Sequence, residues 1–529
     1  MSFTTLQFFL FAAVGVIVYY VIPKKVRWVW LLILSYLYYF SFSVKTSVFL
    51  VFTTLVTYIG GIALETVNEQ SKKYLEENKG VLDREAKKAY KEKTKKNKRR
   101  IVVLMLLLCF GLLGAVKYLN FVIENIDALV LAIGHGQYLE PVNIILPLGI
   151  SFYTFQSVSY IIDIYQGKYK AERNVFKYAL FVSFFPQLLQ GPIGRFDRLA
   201  HQLYEGHSFS ITAIQYGLQR ILWGLFKKMV LADRVSGFVN TVFNDYTSYG
   251  GWYNLVAVLL YCVQLYADFS GGIDIVIGTA EMFGIKMDEN FRQPFFSKSI
   301  GEFWRRWHIT LGAWMKDYIF YPFSLSKYMN RFGKWSKKHF GNNIGKVLPI
   351  CLANLLIFFV VGVWHGAAWK FIAYGMYNGI IIAVSSLLEP VYAIGFKKTH
   401  INPDSKAWNL VKIVRTFILV NIGWYFDMAV DFSAALIMMK ETFTKMSMSQ
   451  ITSTAFLELG MGRRDFLIVA VGCLIIFIVS LLKEKGVHIR EAIATKPLPI
   501  RWAIWYAFIL IIIIFGFTGE SSAFIYANF

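Results

Sequence analysis

Apolar runs about as long as a bilayer is thick alternate with short polar turns along nearly the whole chain, and a spanning helix needs about 20 mostly apolar residues. Such runs cover 5–21, 28–42, 47–64, 101–116, 121–133, 142–164, 175–189, 211–230, 252–266, 348–363, 367–388, 410–430, 466–482 and 502–517. The pattern predicts an all-α, polytopic integral membrane protein of about 11 to 13 membrane helices. Lys117, Tyr118, Leu119 and Asn120 divide 101–116 from 121–133, and the second run is short for a full span.

Residues 284–346 break the pattern, with charged, aromatic and proline residues too dense for a lipid-facing helix. Backbone of that kind survives at membrane depth when it is buried in protein or lines a wet cavity. Short interfacial or re-entrant helices around a central funnel are expected there. The chain reads as a single domain over 1–529, with a motif-rich region at 284–377.

Composition strengthens this picture. The 529 residues are 56% hydrophobic and 17% charged, with a mean hydropathy of +0.48, which excludes a soluble globular chain of this length. The formal net charge of +22 would suit nucleic acid, but the basic residues sit in loops between apolar runs, as the positive-inside rule requires. The densest is a basic loop at 68–100, with thirteen Lys and Arg against six acids, expected in the cytoplasm. Helices over 5–21, 28–42 and 47–64 deliver the chain to it, so the N-terminus is expected outside. Basic residues at 483–501 likewise send the acidic C-terminal tail outward. The first run lacks a basic leader and is expected to be a retained helix. Cys109, Cys262, Cys351 and Cys473 are widely separated, and neither a disulfide framework nor a zinc site is indicated.

An ionisable group at membrane depth is a functional-site hypothesis by default. Of eight histidines, His308 and His365 lie in apolar aromatic sequence. His365, in Gly362-Val363-Trp364-His365-Gly366, can act as a general base, since an imidazole pKa near 6.5 matches operating pH. The competing structural role is a Gly362-x-x-x-Gly366 helix contact with His365 bonded to a neighbouring helix. His308 closes Trp304-Arg305-Arg306-Trp307-His308. If that segment is helical, Trp304 and His308 share a face. Arg305 and Arg306 could then hold a phosphorylated or thioester-bearing donor, or they could meet lipid headgroups beside an aromatic belt. Asp268 and Asp274 close the run that begins at 252. They could fix a histidine tautomer, or pair with Arg305, Arg306 or Lys316. Asp317 carries the same ambiguity. No phosphate loop, zinc-binding helix or nucleophile elbow occurs.

Taken together, these motifs make the chain resemble the membrane-bound O-acyltransferase family, especially its bacterial polysaccharide O-acetylation branch. The resemblance runs nearly end to end. It includes Leu146-Pro147-Leu148-Gly149-Ile150-Ser151-Phe152, Phe185-Pro186-Gln187, Gly191-Pro192-Ile193, Glu289-Asn290-Phe291, the 302–308 block, Trp364-His365-Gly366 and Phe524-Ile525-Tyr526. It implies that His365 and His308 are catalytic and that Trp304, Trp307 and Trp364 support them. Gly272, Ile273 and Asn378 depart from residues that many relatives carry, Asn378 standing where many have His. The resemblance implies no bound cofactor. The donor would be a cytoplasmic acyl thioester, either acetyl-CoA or an acyl carrier protein, and a separate extracytoplasmic acyltransferase would be the partner. The expected place is a bacterial cytoplasmic membrane, crossed many times, with membrane lipid around it and no nucleic acid bound. D-alanyl transfer to teichoic acid is the alternative within the family. A transporter of an acyl donor or a lipid-linked sugar is the alternative from another class.

Overall fold

The computed structural model describes residues 1–134, 139–517 and 524–525. His135 and Tyr526 lie outside the described residues, as does most of the acidic tail. Among the described residues the regular structure is helical, with one isolated bridge between Phe291 and Trp307. Contacts divide the chain into two compact units, one built from 1–217 and 276–288, the other from 218–275 and from 289 onward.

The first unit holds α1 (Leu6–Val21), α2 (Arg27–Phe40), α3 (Ser47–Glu77), α4 (Arg84–Ala132), α5 (Ile150–Gln166), α6 (Val175–Ser183) and α7 (Phe196–Tyr204). Two predicted runs, 101–116 and 121–133, are one element: α4 continues through Lys117 for 49 residues. The 68–100 segment, expected as a basic loop, is mostly helical, with a turn at 78–83. α3 runs on to Glu77, and α4 starts at Arg84 under an Asp83 cap that accepts a hydrogen bond from the Ala86 amide at 2.6 Å. Its Lys, Glu, Arg and Ala residues are strong helix formers, and Tyr74 stacks on Tyr90 at 4.2 Å across the hairpin. The 142–164 run is shortened for the opposite reason. Pro141 and Pro147 keep 139–149 out of helix, and α5 begins after Gly149, whose φ is 74°.

The second unit opens with the end of α8 (Ile211–Leu225), a π-helical segment (Phe226–Ala232) and α9 (Asp233–Asn244). Then come α10 (Trp252–Met282), whose last turns belong to the first unit, and the short α11 (Ile300–Arg306), α12 (Ile309–Met315) and α13 (Tyr321–Ser324). The expected cluster of short helices is therefore present. α14 (Lys327–His365) and α15 (Trp369–Leu387) form a long hairpin, α14 breaking at Gly341, where φ is 73°. α16 (Glu389–Thr399), α17 (Lys406–Met428), α18 (Phe432–Thr444), α19 (Met448–Thr452), α20 (Arg463–Glu484), α21 (Ile489–Ala494) and α22 (Leu498–Phe515) complete it.

Among the described residues, seven helices are long and apolar enough to cross a membrane, namely α3, α4, α10, α14, α15, α20 and α22, with α1 shorter. The other predicted runs fall on helices that are shorter or more polar. α20 and α22 turn Leu467, Leu474, Ile513 and Ile514 outward, as helices solvated by lipid do. α10 is mostly buried, which explains how it carries Asp268 and Asp274 in its middle rather than at its end.

The α14–α15 hairpin is closed by small residues. A Cβ added at Gly375 would lie 2.1 Å from the Phe358 carbonyl oxygen and 2.9 Å from the Gly362 nitrogen. Backbone atoms cannot yield as a flexible side chain can. Gly375→Ala is expected to force the helices apart and to lower the thermal midpoint of the detergent-solubilised protein by several degrees, the overpacking cost being about 1–3 kcal/mol. An unchanged midpoint would show that the hairpin does not depend on this contact.

Candidate active site

His365 is the last residue of α14, where the chain leaves the helix through extended Gly366. Its imidazole is almost wholly enclosed, 5.2 Å from the Trp364 ring and 5.3 Å from that of Tyr374. Its Nδ1 stands 3.6 Å from Oδ1 of Asp427, the penultimate residue of α17. The Tyr261 hydroxyl, from α10, donates to the other Asp427 oxygen at 2.7 Å. Lys370 donates to the main-chain oxygens of Asp427 and Ala429 at 3.3 and 2.6 Å, capping carbonyls at the end of α17 that have no intrahelical partner.

His308 occupies the turn between α11 and α12, with φ 48° and ψ 51°. A non-glycine residue held there is a strained position of the kind that clusters at functional sites. The strain is held by a strap from 290–292. The Ile309 amide donates to the Asn290 carbonyl at 3.0 Å, and the Arg292 amide to that of Arg306 at 2.9 Å. Asn290 Oδ1 accepts from the Thr310 amide and hydroxyl at 3.0 and 2.9 Å, and lies 3.3 Å from His308 Nδ1. The ring packs on Phe269 at 4.8 Å and Trp364 at 5.6 Å, so Trp364 touches both imidazoles. Burial first, and then the neighbouring His365, push the His308 pKa well below 6.5. A neutral imidazole can donate or accept one hydrogen bond at each nitrogen without carrying charge.

The remaining predicted residues divide. Trp304 does not share a helical face with His308, because α11 ends at Arg306 and Trp307 is extended. Instead its indole donates to Asn378 at 3.1 Å and packs on Phe358 at 5.4 Å. Trp307 is core, stacked on Phe303 and 5.5 Å from Trp424. Arg306 pairs with Glu302 at 2.8 Å and with both oxygens of Glu484 at 2.7 and 2.9 Å, while Arg305 is exposed. Asp317 is half-buried in a π-helical turn, Lys316–Phe320.

Asp268 and Asp274 do not pair with Arg305, Arg306 or Lys316. Asp268 meets Lys228 at 2.6 Å and accepts from the Ile525 amide at 2.9 Å. Asp274 meets Lys227 at 2.6 Å and Arg220 at 2.9 Å, and Arg220 in turn grips Glu289. These carboxylates are occupied by cations and do not orient a histidine.

Asp427 and Tyr261 carried no prediction. The signal for Asp427 was available, since a carboxylate inside the 410–430 run is as costly as a histidine there. Asn290 stood in a noted motif without a role. Among the described residues no group of three His, Cys, Asp or Glu side chains could hold a metal ion, and the four cysteines are free.

Two enclosed imidazoles, one with a carboxyl behind it, are groups chemically able to take or give a proton. The chain belongs to the membrane-bound O-acyltransferase family, whose model matches residues 172–426. It is 32% identical to the probable alginate O-acetylase AlgI of Pseudomonas syringae, over 79% of this chain and 70% of that protein. It is 27% identical to the peptidoglycan O-acetyltransferase of Helicobacter pylori over 99% and 97%. It is 31% identical to the teichoic acid D-alanyltransferase of Bacillus subtilis over 54% and 69%. It is a membrane O-acyltransferase.

The strained turn gives a direct test. His308→Asn keeps a residue type that tolerates left-handed backbone while removing the imidazole. It is expected to lower acyl transfer about 10²-fold, the cost of misplacing a reacting group, at normal membrane abundance. Full activity would remove His308 from the centre.

Proposed function

We propose that this enzyme passes an acetyl group from a cytoplasmic thioester across a bacterial cytoplasmic membrane for O-acetylation of an extracellular or cell-wall polysaccharide. His365 is the general base. The acceptor hydroxyl oxygen bonds to the thioester carbonyl carbon as Nε2 takes the hydroxyl proton. The carbon–sulfur bond then breaks, and the thiolate leaves with that proton as a thiol. His308, neutral and fixed by Asn290, orients the acyl group beside Trp364. A separate extracytoplasmic acyltransferase receives the acetyl group and places it on the polymer. No cofactor is held. The donor is acetyl-CoA or an acyl carrier protein, and both termini face outward.

The observation that carries this reading is the enclosure of His365 at the end of a membrane helix with Asp427 behind its Nδ1. Acetyl is favoured by the likeness to the peptidoglycan O-acetyltransferase, which extends over 99% of the chain. The likeness to a teichoic acid D-alanyltransferase covers 54% and supports a second reading, D-alanyl transfer. The test is to feed labelled acetate or labelled D-alanine to cells with and without the protein, and to follow ester-linked label in the envelope and extracellular polysaccharide. Acetate label that depends on the protein is expected. Label from D-alanine, with none from acetate, would overturn the acetyl reading.

A further inference from the structure

The second unit buries several carboxylates, and Asp427 is placed unlike the others. Asp233 and Asp268 lie 2.8 and 2.6 Å from Lys228, and Asp274 lies 2.6 Å from Lys227 and 2.9 Å from Arg220. In each of these the cation offsets the cost of taking the carboxylate out of water. Asp427 is buried, as Asp233 and Asp268 are, yet its oxygens face a tyrosine hydroxyl and an imidazole. The ammonium of Lys370 acts on this carboxyl through space, but its hydrogen bonds go to the backbone carbonyls of Asp427 and Ala429, so among the described residues no cation is bonded to the carboxyl as Lys228 is to Asp268. Burying a carboxyl whose hydrogen-bonding neighbours are a hydroxyl and an imidazole costs free energy. A carboxyl kept there between Tyr261 and His365 therefore points to a task at the histidine. The family match stops at residue 426, one residue short of it.

We infer that Asp427 is the positioning residue of His365: its carboxyl takes Nδ1–H, sets the tautomer that presents Nε2 to the acceptor hydroxyl, and stabilises the imidazolium formed when Nε2 takes the proton. Tyr261 fixes the carboxyl by its own hydrogen bond. The 3.6 Å separation is longer than a hydrogen bond and closes when substrate is bound, as catalytic contacts commonly do. The inference rests on the assignment of His365 as base.

The test uses membrane vesicles carrying the full chain and radiolabelled acetyl-CoA, with protein amount fixed by immunoblot. Asp427→Asn, which preserves shape but removes the acceptor for Nδ1–H on one oxygen, is expected to lower kcat about 10²-fold with KM for acetyl-CoA unchanged. Asp427→Glu is expected to recover part of that loss. Tyr261→Phe, which leaves the carboxyl in place, is expected to lower kcat several-fold, and it decides the matter if Asp427→Asn does not accumulate. In a His365→Gln background, Asp427→Asn is expected to cause no further loss, because residues acting as a unit are not additive. Wild-type kcat in Asp427→Asn, or in Tyr261→Phe should Asp427→Asn be absent from the membrane, with His365→Ala inactive, would overturn the inference and leave the base assignment standing. An active His365→Ala would overturn the assignment itself.

Discussion

Replacing His365 by alanine is expected to lower acyl transfer about 10²- to 10⁴-fold, the contribution of a positioned general base, while the protein still reaches the membrane. An acceptor hydroxyl is a weak nucleophile until its proton is removed, and His365 is the imidazole with a carboxyl behind it. The loss should fall on kcat rather than on donor KM, since a proton is taken in the transition state and not on binding. His365 sits at the end of α14 against Trp364 and Tyr374, so truncation also removes packing. His365→Gln separates the two effects, since it fills most of the volume without accepting a proton at neutral pH. Both variants are expected to be inactive, and Gln the more abundant. The measurement is ester-linked acetyl per unit of membrane protein. Near-wild-type values in His365→Gln would refute a base at this position and favour transport without chemistry.

The sequence made this histidine legible because a lone imidazole in apolar sequence carries a desolvation cost that something must offset. The long hairpin around it was legible for a related reason: 348–363 and 367–388 are mostly apolar, and α14 and α15 end at His365 and Leu387, although α14 starts well before the run, at Lys327. What failed was phase. Trp304 and His308 are four residues apart, but Trp307 leaves the helix at φ −108° and ψ 129°, with neither Gly nor Pro to announce it. The strap from Asn290 compels the turn, and a contact between 290 and 308 has no local signature. The partners of Asp268 and Asp274 were missed for a similar reason. Lys227 and Lys228 lie in the 211–230 apolar run and carried no prediction. The π-helical segment Phe226–Ala232 contains both, and the extra residue in its turn shifts the phase on which a regular helix would have placed them.

Those lysines carry the second large expectation. Lys228→Met is expected to destabilise the fold by about 3–5 kcal/mol, the cost of breaking a buried ion pair from one side. Lys228 Nζ lies 2.6 Å from Asp268 and 2.8 Å from Asp233, each about 1% exposed at the side chain. Removing the ammonium leaves two carboxylates facing each other away from water. Proteins hold about 5–15 kcal/mol in total, so a fall in membrane abundance and in the thermal midpoint in detergent should be plain. Lys228→Arg should recover part of the loss by restoring charge at the cost of fit. Lys228→Met with Asp233→Asn and Asp268→Asn should recover more, because without charges to strand the site needs hydrogen bonds alone. The exposed Arg198–Asp288 pair, 3.4 Å apart, supplies the contrast: Arg198→Ala should change stability by less than about 1 kcal/mol. A wild-type midpoint in Lys228→Met would mean that the carboxylates are neutral in the folded protein, and that α9 and α10 are joined there by hydrogen bonds rather than by charge.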